Sequence, residues 1–98
     1  MTRYQVSLLP LAEEEIREAF LWYLERCPVA ADAFRTEICQ AIDGLAEDPT
    51  MWPVDTEGVR YFILRRFPYT LHYEVAASAV TVLAVAHQRR RPGYWRQR

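Results

Sequence analysis

The run His87-Gln88-Arg89-Arg90-Arg91-Pro92-Gly93-Tyr94-Trp95-Arg96 gathers most of what this chain could use for chemistry on an anion. An imidazole titrates near neutral pH and can give or take a proton; a phenol does so more weakly. A guanidinium fork matches two oxygens of a phosphate or carboxylate at once. His87 and Tyr94 are therefore the proton-handling candidates, and Arg65, Arg89 and Arg90 the phosphate-holding ones. Cations interleaved with aromatics also suit nucleic acid or an acidic partner groove. The expected contact set is Arg60, Arg65, Arg89, Arg90, Arg91, Tyr94 and Trp95. Plainer roles compete for the same residues. His87 at a strand end can cap a turn, an arginine run is often only solvated, and Tyr94 and Trp95 can fold back over a sheet.

Charge is distributed to match. From Val59 onward there are eight arginines against one acid, Glu74, whereas residues 1–58 hold four arginines against twelve acids. The net charge of −1 conceals this dipole, and a basic half points to an anionic partner. Every cationic side chain except histidine is arginine. No His, Cys and acid cluster has metal-ligand spacing, so neither a metal nor another cofactor is expected. Cys27 and Cys39 lack a nearby partner and read as small buried hydrophobes of a reducing compartment. No apolar run approaches the roughly 20 residues that span a bilayer. The opening Met1-Thr2-Arg3-Tyr4-Gln5 lacks the apolar core of a signal peptide, so a cytoplasmic protein without membrane contact is expected.

The elements that must position these residues follow from periodicity. Ninety-eight residues make a single domain, 1–98, and half of them are hydrophobic, enough for one core. Tyr4 to Leu8 alternates and reads as a strand. Pro10 opens a helix whose apolar stripe is Ala12, Ile16, Ala19, Phe20, Tyr23 and Cys27, with Glu13-Glu14-Glu15 as favourable acids in its first turn. Trp22 lies off that stripe, beside Glu15, Glu18 and Glu25/Arg26, which makes it a further candidate anchor for a partner. Pro28 separates a second helix, Val29 to Glu47, with the stripe Ala30, Phe34, Ile38, Ala41 and Leu45. After a polar loop around Trp52 come strands at Val59–Arg65, Tyr69–Val75 and Val80–Ala86, the middle one with Thr70, His72 and Glu74 on its polar face. His72 is expected to be solvated or to face a partner. The order β-α-α-β-β-β predicts an α+β fold, a helical hairpin packed on a small antiparallel sheet, with the sheet's other face open as a working surface.

The stretch Arg66-Phe67-Pro68-Tyr69-Thr70-Leu71-His72-Tyr73-Glu74-Val75, followed by Val80-Thr81-Val82-Leu83-Ala84-Val85-Ala86-His87-Gln88-Arg89-Arg90, resembles the RelE/ParE superfamily. These are toxins of type II toxin–antitoxin pairs, and the element order agrees with their fold over essentially the whole chain. The resemblance implies a growth-inhibiting toxin, often one that stabilises a plasmid. Its partner would be a cognate antitoxin, acidic and amphipathic, ParD-like or similar, held in a hetero-oligomer. RelE-like members are ribosome-dependent mRNA endonucleases; here that would call on Arg65, His87, Arg90 and Tyr94. ParE-like members are not nucleases and are described as poisons of DNA gyrase. The RelE branch typically carries a functional arginine where this chain has Thr70, and a hydroxyl cannot supply a cation to a phosphorane. Thr70 favours the ParE-like branch.

Overall fold

The computed structural model describes residues 3–97. Met1 and Thr2, the first two residues of the opening stretch, and Arg98, one of the eight arginines of the basic half, lie outside the described residues. The elements are β1 (Gln5–Leu8), α1 (Pro10–Arg26), α2 (Pro28–Glu47), β2 (Arg60–Ile63), β3 (Tyr69–Ala76) and β4 (Ala79–His87), with single 3-10 turns at Pro49–Met51 and Tyr94–Gln97. The predicted order holds, and the boundaries differ by a few residues at most.

Both helices start on a proline, whose fixed φ and missing N–H suit a first turn. Between them stands one residue. Cys27 is extended (φ −160°, ψ 98°), donates its N–H to the Tyr23 carbonyl at 2.6 Å and accepts the Ala31 N–H at 3.1 Å, so it ends α1 and begins α2. That geometry takes Cys27 out of the α1 stripe. Cys39 never lay on the α2 stripe, and both thiols are exposed and free, in contrast to the burial expected of them.

The sheet order is β1-β4-β3-β2. The meander β2-β3-β4 is antiparallel as expected, but β1 pairs in parallel with β4, Val6 beside Val80 and Leu8 beside Val82, so the sheet is mixed rather than wholly antiparallel. The helical hairpin carries the chain across one face to the far edge, and the meander returns it to β1. A local strand pattern contains no information on that closure. Along β4 a bulge opposite His72/Tyr73 puts Val82 and Val85 on the helix side and Ala84 and Ala86 on the other.

The core lies between the helices and the sheet. Ala12, Ala19, Phe34, Ile38, Ala41 and Leu45 meet Leu71, Tyr73, Val80, Val82 and Val85 there. Tyr73 is fully buried and donates its hydroxyl to the Pro49 carbonyl at 2.6 Å; burial first of all pushes its phenol up to about 12. Tyr23, Phe34, Phe67 and Tyr69 form an aromatic cluster with centroids 5.2–5.6 Å apart, beneath the Phe67-Pro68-Tyr69 motif.

Candidate functional site

Two loops meet at the end of the sheet where β2 stops, β3 starts and β4 stops. The Gln88 N–H donates to the Pro68 carbonyl at 2.8 Å and ties the tail after β4 to the β2–β3 loop. His87 then turns the chain: its Nδ1 accepts the Arg89 N–H at 3.0 Å and its carbonyl the Arg90 N–H at 2.9 Å. This is the turn-capping role open to His87 from sequence, and it leaves Nε2 as the ring nitrogen for other work. Gly93, with φ 75°, reverses the tail, because an L side chain there would be strained and would crowd Arg96 Nη1 at 3.0 Å.

The reversal splits the two aromatics across the open edge of β4. Tyr94 turns toward α1 and donates its hydroxyl to Glu15 Oε2, while Glu15 Oε1 accepts the Val85 N–H at 2.8 Å. Arg90 lies over the Tyr94 ring at 3.9 Å. Trp95 goes to the opposite face, where it is 8% exposed and packs on Val59 and Ala84, with its ring 4.7 Å from that of His72. Arg96 stacks on Trp95 at 4.4 Å, bonds to Asp55 and reaches Glu57 at 2.8 Å.

His87, Arg90 and Tyr94 therefore form a ridge with a cleft on either side. The helix-side cleft, about 540 Å³, is walled by Glu15, Glu18, Trp22, Tyr23, Tyr69 and Val85. In it burial raises the Tyr69 phenol, and the neighbouring Tyr23 and Glu15 raise it further. The outer-face cleft, about 340 Å³, is walled by Tyr61, Ile63, Thr70, His72 and the tail. Trp22 is 51% exposed at the mouth of the first cleft, with Arg26 over its ring at 3.9 Å.

Three of the four residues of a RelE-like set, His87, Arg90 and Tyr94, are thus brought together. Arg65 is not with them: it stands exposed on the β2–β3 loop and lines neither cleft. Arg60 also departs from the expected contact set, because its guanidinium donates to the carbonyls of Thr50 at 3.1 Å and Trp52 at 2.5 Å and clamps that loop to β2. Trp95 packs inward instead of facing a partner. His72 is not solvated either. It lies half-buried under Trp95, its Nδ1 has no hydrogen-bond partner among the described residues, and burial, then Arg96, lowers its pKa against the opposing pull of Asp55. The outer face is accordingly half closed by the tail.

Two carboxylates that the sequence did not single out as site residues hold the site together. Glu15, read as a first-turn acid, is the junction of α1, β4 and the tail. Glu37 is buried, and its carboxylate accepts the N–H groups of Arg65 at 2.5 Å and Arg66 at 3.3 Å while pairing with Arg66 Nε at 3.4 Å. Spacing carried a signal for both. Glu15 follows Ala12 by three residues, and Glu37 follows Phe34 by three, which is the stripe position.

Among the described residues no group of three or more His, Cys, Asp and Glu could hold a metal ion, and no helix is long and apolar enough to cross a membrane. The profile of the family described as "ParE toxin of type II toxin-antitoxin system, parDE" matches residues 6–92. No curated protein sequence matches the chain. Among solved structures, the fold is similar to a chain of the chromosomal ParDE TA system from P. aeruginosa, with TM-score 0.75 at 17% identity over 87% of this chain and 96% of that one. It is also similar to a chain of the toxin–antitoxin complex RelBE2 from Mycobacterium tuberculosis, with TM-score 0.58 at 22% identity over 89% and 93%.

Proposed function

The chain belongs to the ParE toxin family of type II toxin–antitoxin systems, and on that premise we propose that it is a non-enzymatic toxin that poisons DNA gyrase in the cytoplasm and is neutralised by a cognate antitoxin. The observation that carries this over nuclease action is that the cleavage set is incomplete, because Arg65 lies apart from His87, Arg90 and Tyr94. RNA cleavage by 2′-OH attack needs a base, a phosphorane-stabilising cation and an acid within reach of one phosphate. Here Tyr94 gives its hydroxyl to Glu15, Arg65 lies outside the clefts, and Thr70 stands on the outer-face wall where the RelE branch carries an arginine.

The antitoxin segment expected is acidic and amphipathic. Its apolar side chains would enter the groove of about 320 Å³ between Ile16, Phe20 and Phe34, flanked by Arg17 and Arg35, and its acids would oppose the arginines of the tail. A hetero-oligomer of the two chains follows from that wrapping.

A second reading, a RelE-like ribosome-dependent mRNA endonuclease, is favoured by the convergence of His87, Arg90 and Tyr94 on one ridge. Brief induction of the chain without its partner separates the two. We expect intact mRNA by primer extension together with accumulation of gyrase–DNA cleavage complexes. Cuts at codons that disappear in His87→Ala or Arg90→Ala would replace the gyrase reading with the nuclease.

A further inference from the structure

The basic end of the sheet carries more order than target contact in general requires. Arg65 and Arg66 on the β2–β3 loop and Arg89, Arg90 and Arg91 after β4 are all exposed at this end. The two loops are joined by the bond from Gln88 to Pro68. No Asp or Glu occurs at positions 58–73 or 75–98. The acid that reaches the loop from α2, Glu37, is buried and spends its oxygens on the backbone of Arg65 and Arg66 and on Arg66 Nε. Among the described residues Arg65, Arg89 and Arg90 form no ion pair. Arg66 keeps 65% of its side chain exposed beside Glu37, whereas the Arg96 side chain, 30% exposed, is held by both Asp55 and Glu57. The backbone that carries the cations is also held in place. Glu37 fixes the Arg65-Arg66 backbone, and the His87 turn fixes Arg89 and Arg90.

We propose that this end, Arg65, Arg66, Arg89, Arg90 and Arg91, is a platform for the phosphate backbone of duplex DNA, with Glu37 as its positioning residue. The choice of DNA rests on the gyrase reading, since gyrase presents a bound duplex. The choice of duplex over single strand comes from the aromatics. Single strands are held by bases stacked on exposed rings. Here Arg90 lies over the Tyr94 ring and Arg26 over the Trp22 ring, and Trp95 is buried, which leaves less ring surface for stacked bases. Among the described residues these arginines sit on loops and not on a helix that could enter a major groove, so binding is to backbone and indifferent to sequence. Phosphate contacts of this kind release counterions, and the logarithm of the binding constant falls with the logarithm of salt by about 0.9 per phosphate neutralised.

The test is fluorescence anisotropy with the purified full chain and labelled 20-base-pair duplexes of two unrelated sequences. The probe set includes a single strand of the same length, and potassium chloride is varied. We expect equal affinity for both duplexes, weaker binding of the single strand, and a salt slope near −4, from about 0.9 for each of four to five arginines. The double variant Arg65→Gln/Arg89→Gln, at exposed positions, keeps the wild-type circular dichroism. It should lower the slope by about 1.8 and weaken binding about tenfold or more at 0.1 M salt. An unchanged slope in that variant, tighter binding of the single strand, or no binding at low salt overturns the platform. A parallel gyrase-cleavage assay keeps the two readings apart. Trapped gyrase without DNA binding by the free chain sinks the platform and spares the gyrase reading; duplex binding with no trapped gyrase does the reverse.

Discussion

The two faces of the sheet are closed by different means. On the helix side, two whole helices lay apolar stripes on Leu71, Tyr73, Val80, Val82 and Val85, with the carboxylates of Glu15 and Glu37 at the margin. On the outer side, one tail of a few residues does the covering. Its buried apolar contribution is Trp95 over Val59 and Ala84, with the half-buried Leu11, Leu83 and Tyr94 packed against them, and polar neighbours complete it: His72 under Trp95, Arg96 on Asp55 and Glu57. Packing spread over many residues tolerates changes of pH and salt, because hydrophobic burial does not titrate. A cover resting on a few charges and one ring should open locally, at a free energy well below that of global unfolding.

The largest test of this contrast is Phe34→Ala. The ring is fully buried among Tyr23, Phe67 and Tyr69, and its loss should cost about 3–5 kcal/mol in urea-induced unfolding, enough to threaten a domain of this size. Trp95→Ala removes a ring of greater area but is expected to cost less, about 1–2 kcal/mol, because the tail can detach without the core. Hydrogen exchange should show protection lost in residues 88–97 and retained in β3 and β4. A global loss as large as that of Phe34→Ala would mean that the two faces form one cooperative unit.

The smallest effect is the pH response of the outer cover. His72 has a pKa below its ordinary 6.5, so the unfolded chain binds its proton more readily than the folded one. Stability from the neutral imidazole is complete above about 6.5 and declines as pH falls toward the lowered folded value. For Asp55 burial alone would raise the pKa, but the N–H groups of Glu57 and Val59 and the Arg96 guanidinium outweigh it and bring it below 3.8; that contribution is lost only in stronger acid. Lowering the pH from 7 to 5.5 should therefore loosen the tail through His72 and leave Asp55 charged. Exchange rates across residues 94–96 report it, and His72→Gln should abolish the response. Equal loosening in that variant would move the trigger to another group.

The same contrast governs what could be read from the chain alone. The helix-side stripes were legible because periodicity is a local record of which face is buried, and Phe34, Ile38, Ala41 and Leu45 all sit where spacing placed them. The family motif after Arg66 brought fold and order with it. The tail was legible in chemistry but not in direction. Nothing local decides that Gly93 sends Tyr94 to one side of β4 and Trp95 to the other, or that His72 ends beneath a ring 23 positions away. Arg60, expected among the partner contacts, satisfies two loop carbonyls whose positions depend on the tertiary fold. The parallel placement of β1 was invisible for the same reason, since pairing partners far apart in sequence leave no mark on either strand.

The Glu15 junction has one more consequence. Strand β1 pairs with β4 only as far as Val82, so the last five of the nine residues of β4 run on with no strand on that flank. Bare strand flanks recruit other chains into cross-molecular sheets. Here the side-chain carboxylate of Glu15 occupies the Val85 N–H, and the Tyr94 hydroxyl secures that carboxylate from the far side. A single acid from a helix thus accepts the N–H that a neighbouring strand would otherwise pair, which blunts this flank as a template for other chains.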